Sequence, residues 1–84
     1  MFGLQITNPI RWSHDWSARL GSRLEINDSS NDLLIFNPKH GLKEIREVLK
    51  DVPKTTYRLL EVEPTATENC EFWTDNGKCY RHVD

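Results

Sequence analysis

The residue types best suited to chemistry lie mostly in the last fifteen residues of the chain, CEFWTDNGKCYRHVD. Cys70, Cys79 and His82 form a C-x8-C-x2-H pattern, and His40 or His14 could supply a fourth ligand for zinc. Only Cys79 and His82 are closely spaced, and strand residues an odd number apart point to opposite faces of a sheet. The pattern therefore predicts two ordinary thiols and a surface histidine, with no metal site and no cofactor.

Acid–base catalysis is the second chemistry that these residue types would allow. A small ribonuclease or toxin-like enzyme could use His40 and His82 for proton transfer, with Lys39, Tyr80 and Arg81 near the phosphate. The sequence contains no G-x-S-x-G, H-E-x-x-H, P-loop or G-x-G-x-x-G motif. We therefore predict no catalytic residues and a protein that is not an enzyme, and we keep the ribonuclease as the alternative.

A β-hairpin over residues 70–84 must position the C-terminal residues. Asn-Gly between β-forming residues is a strong hairpin signal, and a two-residue loop of Asn76 and Gly77 would place Trp73 opposite Tyr80. In that register Cys70 lies too far along the hairpin from Cys79 for a disulfide. A change of one residue in the loop would exchange the faces, because side chains alternate along a strand.

The two faces of this predicted hairpin differ in character. One face is thiol and apolar and is expected to pack inward, and it carries Cys70, Phe72, Cys79 and Val83. The other carries aromatic and charged side chains, a mixture typical of protein interfaces. We predict that this second face contacts a partner protein through Glu71, Trp73, Tyr80, Arg81 and His82.

Two Asn-Pro pairs, Asn8-Pro9 and Asn37-Pro38, each follow an apolar run and predict a strand that leads directly into a helix. After the second pair, apolar residues at helical spacing form one stripe, which consists of Leu42, Ile45, Leu49 and Val52. After the first pair, Trp12, Trp16 and Leu20 are spaced by four residues, so the two tryptophans are expected to pack in the core.

The predicted element order is β-α-β-β-α-β followed by the hairpin, in a single small α+β domain over residues 1–84. This order favours a ferredoxin-like core with an added C-terminal β-hairpin. The apolar run LLIF (residues 33–36) is expected to be a central strand covered on both faces. The first helix has almost no loop at either end, so an antiparallel sheet with one main helix is the runner-up.

The formal net charge of −2 gives no general attraction to nucleic acid or to anionic lipid, which leaves a weak nucleic-acid-binding module as a lesser alternative. No apolar run reaches the roughly 20 residues that span a bilayer, and the N-terminus does not resemble a signal peptide. We therefore predict a small cytoplasmic, non-enzymatic protein that binds another protein, of inhibitor, immunity or phage accessory type. Nothing in the sequence specifies an oligomeric state.

Overall fold

Residues 1–83 of this chain are described by a computed structural model, in which a six-stranded antiparallel sheet carries two helices. The strands follow the spatial order β2-β3-β1-β4-β6-β5. Their bounds are β1 Phe2–Ile6, β2 Ile26–Ser30, β3 Leu33–Phe36, β4 Tyr57–Pro64, β5 Phe72–Trp73 and β6 Cys79–His82. The helices are α1 (His14–Arg23) and α2 (Leu42–Val48), and short 3₁₀ turns cover Lys54–Thr56 and Thr67–Asn69.

Both helices pack against one face of the sheet. The larger apolar cluster combines Leu4 from β1 and Phe36 from β3 with Leu20 of α1 and Ile45 of α2, all of them fully buried. Trp12 lies in this cluster and meets Trp16 edge to face, with ring centroids 5.2 Å apart. The prediction of an α+β fold is confirmed, and the one-helix runner-up is wrong because both helices form.

A second apolar cluster fills the opposite face of the sheet. It contains Leu33, Ile35, Leu60, Val62 and Tyr80, with Met1 and Phe72 packed against it. The LLIF strand contributes to both clusters, as predicted, because alternate residues point to opposite faces. Gly3 lies on this second face, where a Cβ atom would approach Ile35 Cδ1 to 3.1 Å, so its missing side chain permits the close packing.

Within residues 1–83 no helix covers this second face, and the sheet is nearly barrel-shaped. A β-bulge in β2 lies between Ile26 and Asp28, and the Asp28 side chain is buried. Its carboxylate accepts hydrogen bonds from Thr74 Oγ1 (2.6 Å) and Asn76 Nδ2 (2.9 Å) in the hairpin loop. The backbone N–H of Asp75 also donates to the Ser29 carbonyl at 2.9 Å. The hairpin is therefore fastened to β2, at the far edge of the sheet.

The helices begin later than the Asn-Pro pairs predict. Asn8 and Asn37 each open a single turn, in which Asn8 O accepts from Trp12 N–H (3.0 Å) and Asn37 O accepts from His40 N–H (3.0 Å). Helix α1 is then capped by Ser13, whose Oγ accepts from Asp15 N–H, and α2 starts after Gly41. Within residues 1–83, neither helix is long and apolar enough to cross a membrane.

Candidate functional site

The hairpin has a three-residue loop instead of the two-residue loop predicted from Asn-Gly. Thr74 and Lys78 close the loop through the Thr74 N–H, which donates to the Lys78 carbonyl at 3.0 Å. Gly77 has φ +75° and no non-glycine residue among 1–83 has a positive φ, so Asn76 does not take the left-handed conformation that a two-residue type I′ loop needs. Trp73 therefore pairs with Cys79, and Phe72 pairs with Tyr80.

In this register each residue of the hairpin has a different cross-strand partner from the predicted one, so the predicted composition of the two faces was wrong. Trp73 lies on the same face as Cys79 and Arg81, which we call the outer face of the hairpin. Tyr80 is only 4% exposed and packs in the second apolar cluster, so its placement beside Trp73 on an open face was wrong. Trp73 is 55% exposed, as the interface hypothesis requires.

The three other predicted contact residues are Glu71, Arg81 and His82. Together with Glu63 and Val83 they line a shallow groove of about 350 Å³. The Arg81 guanidinium forms an ion pair with Glu63 on the neighbouring strand β4. The Glu71 carboxylate accepts a hydrogen bond from the His82 backbone N–H at 3.2 Å. The structure thus brings the exposed residues Glu71, Arg81 and His82 to one groove. Strand alternation places His82 on the face of Tyr80 and Arg81 on the outer face, so the prediction that His82 shares a face with Trp73 was wrong.

The two cysteines are free thiols in contact with each other, although the predicted register placed them far apart. Cys79 is buried, and Cys70 is half-buried with its thiol donating to the Phe72 carbonyl at 3.3 Å. Burial, with a smaller contribution from the Cys70 thiol, raises the pKa of Cys79 to about 11. At neutral pH Cys79 is therefore a covered, protonated thiol and a poor nucleophile or metal ligand.

The raised pKa of Cys79 predicts slow alkylation. In a Cys70→Ser variant at pH 8, we expect iodoacetamide to modify native Cys79 roughly 10- to 100-fold more slowly than the same protein in urea, because the thiolate fraction falls with each unit of pKa. Mass spectrometry of timed samples gives the rates. The matched Cys79→Ser variant, which keeps the more accessible Cys70, should react faster in the native state. Equal native and unfolded rates for Cys79 would contradict the predicted burial.

His40 has a structural role, although it was the first candidate for proton transfer. Its side chain is 8% exposed, and Nε2 accepts a hydrogen bond from the Glu25 backbone N–H at 2.8 Å. The ring is then the Nδ1–H tautomer, which donates to Glu44 Oε1 at 2.6 Å. Both ring nitrogens are occupied in joining the start of β2 to α2, so neither faces a substrate.

Loss of the His40 ring should destabilise the fold. A His40→Ala variant leaves the Glu25 N–H without its acceptor, and we expect the free energy of unfolding to fall by about 1–3 kcal/mol. Urea denaturation followed by circular dichroism measures the change. His14→Ala is the control, since His14 is exposed, and it should shift the stability by less than about 0.5 kcal/mol. A His40→Ala variant as stable as the control would remove this structural role.

Within residues 1–83, no group of three or more His, Cys, Asp or Glu side chains is placed to hold a metal ion. His14 lies on the exposed surface of α1. Asp28 was missed by the sequence reasoning, although it fixes the position of the whole hairpin. Its signal was weak, since an acidic residue in the DSSND stretch is typical of a solvent-exposed turn.

The chain was also compared with known proteins. No family model, curated protein or solved structure matches it at a significant level.

Proposed function

We propose that this chain is a small protein-binding module that acts without catalysis and contacts its partner through the outer face of the hairpin. The observation that carries the proposal is the exposure of Trp73. In residues 1–83 there are three Trp, three Phe and two Tyr side chains, and Trp73 alone among them is exposed. Covering a solvent-exposed indole with a partner protein lowers the free energy of the complex, and tryptophan is enriched among the residues that dominate binding energies.

The setting of Trp73 supports the role of an anchor. The hairpin is fixed by the buried contacts of Asp28, so little conformational entropy remains to be lost on binding. The Arg81–Glu63 ion pair lies on the same face of the hairpin as Trp73, and Glu71 lines the same groove as that pair. A partner that fits has an apolar pocket for one indole, with polar groups around the rim of that pocket.

An inhibitor, immunity or phage accessory protein is the class that we favour for this module. Such proteins need only a small, stable scaffold and one contact surface. The occupied ring of His40 and the protonated thiol of Cys79 support a non-enzymatic role. We propose a cytoplasmic location, which is compatible with two cysteines that remain free thiols.

We further propose that β1 to β4 and the two helices form a ferredoxin-like unit to which the hairpin is added. The antiparallel order β2-β3-β1-β4 supports this classification, as does the packing of both helices on one face. In this view the β5–β6 hairpin extends the sheet beyond β4 and carries the binding surface.

Comparative affinity capture tests the proposed function. Tagged wild-type protein, a Trp73→Ala variant and an Ile10→Ala variant are each used to capture proteins from the source cells, with quantification by mass spectrometry. Ile10 is the matched control because it is 95% exposed and lies outside the hairpin. A partner retained by wild type and Ile10→Ala but depleted with Trp73→Ala supports the proposal. Identical captured proteins with all three baits would contradict it.

A further inference from the structure

A second surface feature lies away from the hairpin, where α2 ends and β4 begins. A groove of about 700 Å³ opens there, lined by Arg46, Leu49, Lys50, Lys54, Tyr57, Arg58 and Leu59. Strand β6 pairs only with the last three residues of β4, so within residues 1–83 no strand covers the first half of β4 on that side. The groove has the size of a small-molecule site, for which volumes of roughly 300–1,000 Å³ are usual.

The charged part of this groove is entirely cationic. Four basic residues line it and no acidic residue does, although the chain as a whole has a net charge of −2. Arg46 and Lys54 make no ion pair or side-chain hydrogen bond to any residue in 1–83. Arg58 donates from Nε to the neutral Gln5 Oε1 at 2.7 Å and has no acidic partner within residues 1–83. Only Lys50 has an acidic partner, Glu47 at 3.3 Å.

The remaining part of the groove is apolar and aromatic. Leu49 is buried, whereas Leu59 and Tyr57 are half-buried and contribute their accessible surface to the groove. The Tyr57 ring is held by an edge-to-face contact with Trp12, with ring centroids 6.3 Å apart and an interplanar angle of 74°. A fixed aromatic ring beside two leucines offers a surface on which a flat, weakly polar group can pack.

We propose that this groove binds a small phosphate ester with an aromatic body, of the nucleotide class. The guanidinium group of Arg46 suits phosphate oxygens, since its planar donor arrangement allows two parallel hydrogen bonds. Lys50 and Lys54 add two positive charges, and the apolar part of the groove around Tyr57 contacts the aromatic base of the nucleotide. A long nucleic acid is a poorer fit, because only four of the eleven basic residues line this groove and the rest of the chain carries seven basic against thirteen acidic side chains.

The test is a titration of ¹⁵N-labelled protein at low ionic strength, with ADP as the probe and with adenosine and inorganic pyrophosphate as separate arms. We expect saturable amide shifts at Lys50, Lys54 and Leu59 on addition of ADP. ADP should bind more tightly than either adenosine or pyrophosphate, because it alone engages both parts of the groove. No saturable shift with ADP, or pyrophosphate bound as tightly as ADP, would overturn the proposal.

Paired variants separate a site from general charge attraction. Arg46→Gln/Lys54→Gln removes two groove cations, and we expect the Kd for ADP to rise by about tenfold or more. Arg23→Gln/Lys43→Gln removes two exposed cations outside the groove lining and should change the Kd by less than about twofold. Equal weakening in both double variants would overturn the assignment. So would a single-stranded oligonucleotide that binds more tightly than ADP and shifts amides well beyond the groove.

Discussion

Replacement of Asp28 by alanine is expected to lower the free energy of unfolding by about 2–4 kcal/mol, a large effect for a polar residue. Its carboxylate is buried and accepts hydrogen bonds from Thr74 Oγ1, Asn76 Nδ2 and the Ser29 N–H. Removing it leaves the buried Thr74 hydroxyl with only the Lys78 carbonyl, at 3.4 Å, to donate to, although the hydroxyl still accepts from the Lys78 N–H at 3.2 Å. The side-chain hydrogen bonds between β2 and the hairpin are lost at the same time, which leaves the backbone hydrogen bond from Asp75 to Ser29.

Urea denaturation of the wild type and the Asp28→Ala variant measures this difference. Asp32→Ala is the matched control, since Asp32 is an exposed carboxylate four residues away, and it should change the stability by less than about 0.5 kcal/mol. A double-mutant cycle with Thr74→Val isolates the 2.6 Å hydrogen bond and should give a coupling energy of roughly 1–3 kcal/mol. Additive effects in that cycle would mean that the hairpin loop does not depend on Asp28.

Replacement of Trp73 by alanine is expected to raise the Kd for the partner protein by about 30-fold or more, which corresponds to about 2 kcal/mol of binding free energy. The same change should alter the free energy of unfolding by less than about 1 kcal/mol, because Trp73 is 55% exposed. A large effect on binding with a small effect on stability is the signature of a contact residue. Most substitutions in the core of this small sheet would have a large effect on stability and a small effect on binding.

Isothermal titration calorimetry with the purified partner measures the Kd of the wild type and of each variant. Ile10→Ala removes an apolar side chain outside the hairpin that is even more exposed, at 95%, and should leave the Kd within about twofold of wild type. Arg81→Ala removes a charge from the same face as Trp73, and as a rim residue it should have a smaller effect than Trp73→Ala. If Ile10→Ala weakened binding as much as Trp73→Ala, the contact surface would lie elsewhere.

The sequence was sufficient to predict most of the elements, because helix and strand patterns are local. In the predicted stripe Ile45, Leu49 and Val52 are buried and Leu42 is half-buried, although α2 ends at Val48 and so is shorter than the stripe predicts. Trp12 lies in the core. The helix starts were misplaced because Asn-Pro is compatible with a single turn as well as with a helix cap. The extra turn after Asn37 places His40 beside Glu25, and that tertiary contact could not be read from the local sequence.

The predicted assignment of side chains to the two faces of the hairpin depended on one choice of loop length. Asp75, Asn76 and Gly77 also fit a three-residue loop with glycine at its left-handed position, which is the loop observed. Loop chemistry alone did not separate the two registers. The buried side chain of Tyr80 and the docking of Thr74 on Asp28 favour the observed one, and the latter joins residues 46 positions apart in the chain.

The most direct test of the binding surface is ¹⁹F NMR of the intact chain labelled with 5-fluorotryptophan. The chain has three tryptophans, and a Trp73→Phe variant assigns the Trp73 resonance. On saturation with the captured partner, the Trp73 resonance should shift and lose its sensitivity to solvent exchange between H₂O and D₂O. The resonance of Trp12, which is only 8% exposed, should stay in place. A Trp73 resonance that remains unchanged and solvent-sensitive in the saturated complex would contradict the proposed function.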